Sequence, residues 1–265
     1  MNRKQFRWLK IIFTGVSFII AFIFKSEIDW NNLGNNEFKE NLVNEFVFSI
    51  AVSIFASMIL VWFIDEIEKN IQDKKNREDE KVTIKRFDKV LSLYLERYII
   101  LFYCVSTPLS NRNFNSVEMP MKFSLKDMRD LHYMTTLIKE SFSNSSVEAF
   151  LQSELQLRKE IISITEKYSF EYYPKFCELF TEFIRVSLRY DTHGAIIFNQ
   201  RTDKDIEFIK NLLENHADEY LSKMLRGEHL HANVAHPYIF LYLMMNEQRD
   251  IILKYQKAIQ ELEKE

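Results

Sequence analysis

Apolar and polar positions divide this chain into two regimes. Residues 46–64, FVFSIAVSIFASMILVWFI, are nineteen positions without a charge, bracketed by Glu45 and Asp65. As a helix they measure about 28 Å, close to the hydrocarbon thickness of a bilayer. After Asp65 the apolar residues recur at helical spacing instead. Before the long run, residues 11–24 are also uncharged and follow a basic start with Arg3, Lys4, Arg7 and Lys10. With Trp8 at the interface and Lys10 reaching to the headgroups, residues 6–24 suffice for a second span. A signal peptide and an interfacial helix are the alternatives for this stretch. No small-residue cleavage site follows it, and a longer apolar run comes soon after, which favours a span.

The pattern beyond residue 64 predicts helices throughout. Residues 65–105 contain no Gly or Pro, and Asp65–Lys69 and Asp73–Arg77 are acid-before-base pairs four apart. They predict a solvated helical stalk, with a flexible charged linker as the alternative. Ile84, Phe87, Val90, Leu91 and Leu95 then start a core face. Residues 106–123 read as irregular because of Pro108, Pro120 and several Asn. Ser124 with Asp127, and Ser145 with Glu148, are capping boxes that open helices. The second of these runs to about Tyr168, with Leu157, Ile161 and Ile164 on one face. Pro174 suits the first turn of a helix with Phe176, Phe180, Phe183 and Ser187 on one side, ending near Gly194. Residues 195–200 are the one place where a short strand fits. Thr202 caps a helix through Arg226 that Gly227 stops. Pro237 begins the last helix. In it Met244, Ile251 and Ala258, with Gln248, Tyr255 and Leu262, form a heptad pattern, either a coiled-coil seam or packing within the domain.

The fold class is therefore all-α: a transmembrane hairpin over residues 1–64 (helices about 6–24 and 46–64), a stalk helix over 65–105 and a helical bundle domain over 106–265. Composition agrees. Gly 4 and Pro 4 leave little for sheet turns, and Phe 23 supplies core. A mean hydropathy of −0.22 excludes a many-span transporter. The net charge of −3 gives no case for direct nucleic-acid binding. Cys104 and Cys177 lack CxxC spacing and read as buried free thiols. The connection 26–44 holds one Lys, Lys39, whereas the outer flanks of both spans are basic. The positive-inside rule then puts both termini in the cytoplasm of a multi-pass protein, rather than the reverse.

Candidate chemistry is sparse. Ser49, Ser53 and Ser57, beside Ala56, recur every four residues; Thr14, Ser17 and Ala21, next to Gly15, form a like stripe on the first span. Small residues so spaced pack helices closely in lipid, within the hairpin, in a homo-oligomer or around a weakly polar pore. The absence of ionisable groups from the second span argues against a proton relay. Glu228, His229, His231 and His236 fall in nine residues, a weak candidate set of metal ligands, with a plain polar loop as the alternative. Phosphate loops and nucleophile elbows are missing, and no cofactor is implied.

Two resemblances bear on function. Arg226 and His231, with four residues between, resemble the Arg-x4–6-His signature of the HEPN helical ribonucleases, which implies that Arg226 stabilises charge and His231 handles a proton; Gly227 departs from that family's usual polar residue. The layout of hairpin plus helical domain resembles the two-transmembrane effectors of bacterial anti-phage systems such as those beside retrons. That resemblance implies an inner-membrane protein that damages the membrane on infection, a homo-oligomer, and a cytoplasmic protein or ribonucleoprotein partner. A passive anchor or scaffold for a cytoplasmic partner has the same layout.

Overall fold

The computed structural model describes residues 12, 15–16, 48–113, 117–133, 145–197, 202–228 and 234–265. The protein is all-helical, with no strand among the described residues. It divides into two units, Met1–Arg77 and Glu78–Glu265. One helix, α1 (Phe48–Ser106), runs unbroken from the first into the second, so the charged run 65–77 is helix rather than linker. Ile12, Gly15 and Val16 are helical too; the remainder of the expected first span, and the connection 26–44, lie outside the described residues.

In the first unit α1 turns its apolar side chains outward. Leu60, Trp62 and Phe63 are 61, 53 and 61 % exposed, and Ala51 is a rare buried one. The segment is apolar enough and long enough to cross a membrane. Water disfavours this much exposed hydrocarbon, about 25 cal/mol for each Å2.

The second unit buries what the first exposes. Along α1, Ile84, Phe87, Leu91, Leu95, Tyr98 and Phe102 recur every three or four residues and are all buried. Around them pack α2 (Ser146–Lys167), α3 (Pro174–Arg189) and α7 (His236–Lys264), with α3 lying along both α2 and α7. Rings interlock at the junctions: Phe87 meets Phe180 at 5.9 Å between centroids, Tyr98 meets Phe150 at 5.2 Å, and Phe102 meets Phe123 at 5.4 Å. Each such buried ring contributes about 1.5–3 kcal/mol.

The ends of these helices follow their sequences. Ser145 caps α2 by accepting from the Glu148 N–H at 3.3 Å, and the Glu148 carboxylate accepts from the Ser145 N–H at 3.2 Å. Pro174 stands at the first turn of α3. At the end of α1 the Arg112 guanidinium turns back and donates to the Cys104 and Thr107 carbonyls, groups that a helix end leaves unpaired. Asp130 accepts from the Leu109 N–H at 2.9 Å and ties the following turn (Leu109–Asn111) to the bundle.

Four expectations are corrected. The helix expected from Ser124 is a 3-10 segment, Leu125–Asp130, followed by a turn; residues 134–144 lie outside the described residues. Its buried residues Leu125, Met128 and Leu131 are spaced by three, which suits the three-residue turn of a 3-10 helix better than a 3.6-residue one. The possible strand begins as helix: α4 spans His193–Ile197 and buries Ile196. The helix from Thr202 breaks at His216 into α5 (Asp203–Asn215) and α6 (Ala217–Leu225), and the break lets both pack on the 3-10 segment. The α3 helix ends at Arg189, short of Gly194. The heptad pattern of α7, left open between two uses, serves the domain itself: Met244, Gln248, Ile251, Tyr255, Ala258 and Leu262 are all buried within it.

Candidate functional site

The exposed apolar part of α1 is the first candidate. Ser49, Ser53 and Ser57 are exposed along one side of it. The Ser57 hydroxyl donates to the Ser53 carbonyl at 2.8 Å, so its polarity is satisfied inside its own helix. A hydroxyl paired in this way carries a small desolvation cost in hydrocarbon, which suits a serine in a lipid-facing or helix-packing stripe. Ser17 and Ala21, the matching positions of the first span, lie outside the described residues.

The end of α6 holds the second candidate. Gly227 adopts φ +73°, the left-handed turn that closes a helix. Its N–H donates to the Met224 carbonyl at 2.9 Å, and the Glu228 N–H donates to the Lys223 carbonyl at 3.0 Å. This turn brings Arg226 and Glu228 together: Nε of Arg226 sits 3.2 Å from Oε1 of Glu228, and both side chains are exposed. It also explains why glycine follows the arginine. A side chain there would be strained, so the departure from the HEPN pattern is a helix-ending device. His229 and His231 lie outside the described residues. His236 opens α7 and stacks its ring at 4.5 Å from Phe240. No group of three metal-ligating side chains is assembled among the described residues.

Pattern reading missed a buried polar chain at the centre of the bundle. The Tyr98 hydroxyl donates to Oε1 of Gln248 at 2.7 Å. The Gln248 amide donates to Oγ of Ser187 at 2.9 Å and to Oε1 of Glu154 at 3.2 Å. All four residues are almost fully enclosed. Burial, reinforced by the Glu154 charge, raises the Tyr98 pKa well above its ordinary value. The signal in the sequence was Gln248, a polar residue within an apolar heptad, and Glu154 between Leu151 and Leu157. Each of the four comes from a different helix, so the chain of bonds sets how α1, α2, α3 and α7 register.

Two further polar features position elements. Glu80 of α1 accepts from the N–H groups of Tyr172 and Tyr173 at 3.1 and 3.0 Å and holds the turn between α2 and α3. Its place in a run of charges had read as solvated. Lys210 of α5 lies 3.6 Å from Asp130 and 5.1 Å from the centre of the Tyr133 ring. Its pKa is raised, first by the hydrogen bond to the Tyr133 hydroxyl, so it stays protonated. His132 pairs with the Tyr238 hydroxyl at 2.7 Å, a structural use. Cys104 is buried and Cys177 half-buried, and neither is in a disulfide among the described residues.

Finally, α1 and α7 leave an open groove of about 760 Å3 between them. Its floor is apolar, with Leu95, Ile99 and Ile259, and its rim carries Ser92, Glu96 and Gln256. At one end the Tyr255 hydroxyl donates to Asp88 at 2.6 Å; burial, then this bond, pushes the tyrosine pKa up. No family model, no curated protein and no solved structure matches the chain.

Proposed function

We propose that the protein is a membrane-inserted effector whose helical domain controls a membrane-perturbing hairpin. In this reading residues 46–64 cross the bilayer as the second of two spans, and both termini lie in the cytoplasm. The Ser49, Ser53 and Ser57 stripe packs one copy against another and perturbs the membrane. A cytoplasmic protein or ribonucleoprotein holds the assembly inactive. The setting implied by the resemblance stated above is antiviral defence at a bacterial inner membrane.

The observation that carries the reading is α1 itself. Its exposed apolar stretch, residues 48–64, is joined by the charged, exposed stretch 65–79 of the same unbroken helix to the stretch from Ile84 onward that forms part of the domain's core. In this reading a rearrangement of the bundle acts through that helix on the segment fit for lipid. A passive anchor needs no such continuity; a linker would serve it.

The test is membrane potential, followed with a potential-sensitive dye in bacteria induced to express the full chain. The expected result is depolarisation, lost in Ser53→Leu while that variant remains in the membrane fraction. Depolarisation that survives Ser53→Leu removes the serine stripe from the mechanism. No potential change at any expression level leaves the passive anchor. Arg226→Ala with unchanged effect removes the HEPN-like reading.

A further inference from the structure

We infer that α1 carries a self-association seam within the first unit, covered by the same seam of a second copy of this chain, parallel and level with it; this rests on the membrane-inserted reading above. Every residue of the seam belongs to Met1–Arg77.

The seam shows first where the lipid-fit stretch ends. Residues 65–77 are polar or charged except for Ile67 and Ile71, which stand four apart and are 46 and 61 % exposed. Asp65, Glu66, Glu68 and Lys69 surround them at the same height, and charges there keep hydrocarbon away from these two side chains. Their face, followed back along the helix, has a heptad pattern. Ile50, Ser57, Ile64 and Ile71 occupy one of the two seam positions, and Ser53, Leu60 and Ile67 the other. All seven are exposed and fall within about 100° of arc. Lys74, at the next seam position, ends the pattern. From Ile50 to Ile71 the seam is about 32 Å long.

Three features of α1 select a second copy. First, the chain itself covers the other side of the helix. Ala51 is 5 % exposed and Phe55 and Met58 are half-buried. These three lie about 160° from the middle of the seam, so contacts within the chain fall away from it and leave it open. Second, the seam runs from the apolar stretch into the charged one. Lipid covers only its first part, and a water-soluble partner covers only Ile67 and Ile71. A helix that crosses the same boundary covers both, and α1 of another copy crosses it at the same residues. Insertion in one direction makes the two helices parallel, so isoleucine meets isoleucine and serine meets serine along the whole length. Third, the area suffices: covering the seam on two copies removes on the order of 1,200 Å2, the lower end of what stable contacts bury. The serines let the backbones come close, and the Ser57 hydroxyl is already paired with the Ser53 carbonyl at 2.8 Å.

The experiment uses the full chain in membranes of expressing bacteria, treated with an oxidant or a short bifunctional maleimide. Wild type, with Cys104 buried and Cys177 half-buried, gives the blank. Ile64→Cys, Ile67→Cys and Ile71→Cys are each expected to add a product of twice the chain mass. Lys69→Cys, exposed on the other side of the helix, is expected to add none. The product at Ile64→Cys should be lost when Ile67→Asp and Ile71→Asp are combined with it, with the variant still in the membrane fraction. No added product at the three seam positions, equal product at Lys69→Cys, or product that survives the two aspartates would each overturn the proposal. The effector reading fails separately. Depolarisation without seam product ends the seam alone; seam product without depolarisation upholds the seam and ends the effector reading alone.

Discussion

The first third of α1 and the whole of α7 are both apolar helices with a repeating stripe, yet they meet opposite fates. From Ser49 to Ile64 most of the large side chains are exposed, Leu60 and Phe63 each at 61 %, with Phe55 and Met58 half-buried. In α7 the heptad positions from Met244 to Leu262 all point into the bundle, and Gln248 among them is fully buried. What separates the two is the polar remainder. The α7 helix has Asp250, Lys254, Lys257 and Glu261 for its wet side, so it has one face for water and one for protein. The segment 46–64 carries no charge on any side, the pattern of a helix surrounded by apolar groups all round. An apolar stripe therefore says that a helix packs; the opposite face says against what.

The comparison is broken most strongly by placing a charge in each helix. Ile251→Asp puts an unpaired carboxylate in the bundle and should cost about 3–5 kcal/mol, enough to abolish cooperative melting of the full chain in detergent. If melting persists near the wild-type temperature, the α7 stripe is not core. Next, Leu60→Arg should leave the domain's melting unchanged and cost membrane insertion about 2.5–3.5 kcal/mol, read as release from membranes at alkaline carbonate. Retention in the membrane pellet together with a lowered melting temperature would reverse the two roles.

A smaller effect sharpens the same contrast. Tyr98 and Tyr255 both have raised pKa values in the folded protein, from burial first. For a group with a raised folded pKa, stability is complete below the unfolded value, near 10, and falls as pH rises above it. Above pH ~10 the unfolded tyrosines ionise while the folded ones do not, so each should cost about 1.4 kcal/mol per pH unit until the folded value is reached. Melting of the domain should therefore fall steeply above pH ~10 and less steeply in Tyr98→Phe with Tyr255→Phe. Residues 46–64 contain nothing that titrates, so membrane retention should not follow that curve.

Much of the architecture was legible because local physics decided it. Ser145 with Glu148, Thr202 and Gly227 begin or end helices by satisfying nearby backbone groups, and Pro174 suits a first turn because its φ is fixed and it brings no unpaired N–H; each does so here. The failures share a cause. The 3-10 segment at Leu125, the break at His216 and the helix at His193 depend on which neighbour each apolar residue must reach, and periodicity over one segment does not carry that. The candidate sites fared unevenly. Arg226 and Glu228 are joined by the Gly227 turn, whereas His229, His231, Ser17 and Ala21 lie outside the described residues. For the buried Tyr98–Gln248–Glu154–Ser187 chain the sequence offered two polar residues in apolar stripes but not their pairing, since Tyr98 and Gln248 lie 150 residues apart; the α1–α7 groove joins residues 167 apart.

By itself the sequence determined that this protein is helical, that one uncharged stretch is long enough to cross a bilayer, and where several helices start and stop. Those properties follow from side-chain polarity and from hydrogen bonds spanning three or four residues, which any short window contains. Only the tertiary structure decided that the heptad of α7 faces inward and that Glu80 holds a turn some 92 residues away. The reason is physical. Whether a side chain is core, rim or surface depends on which other elements exclude water from it, and that depends on the whole fold.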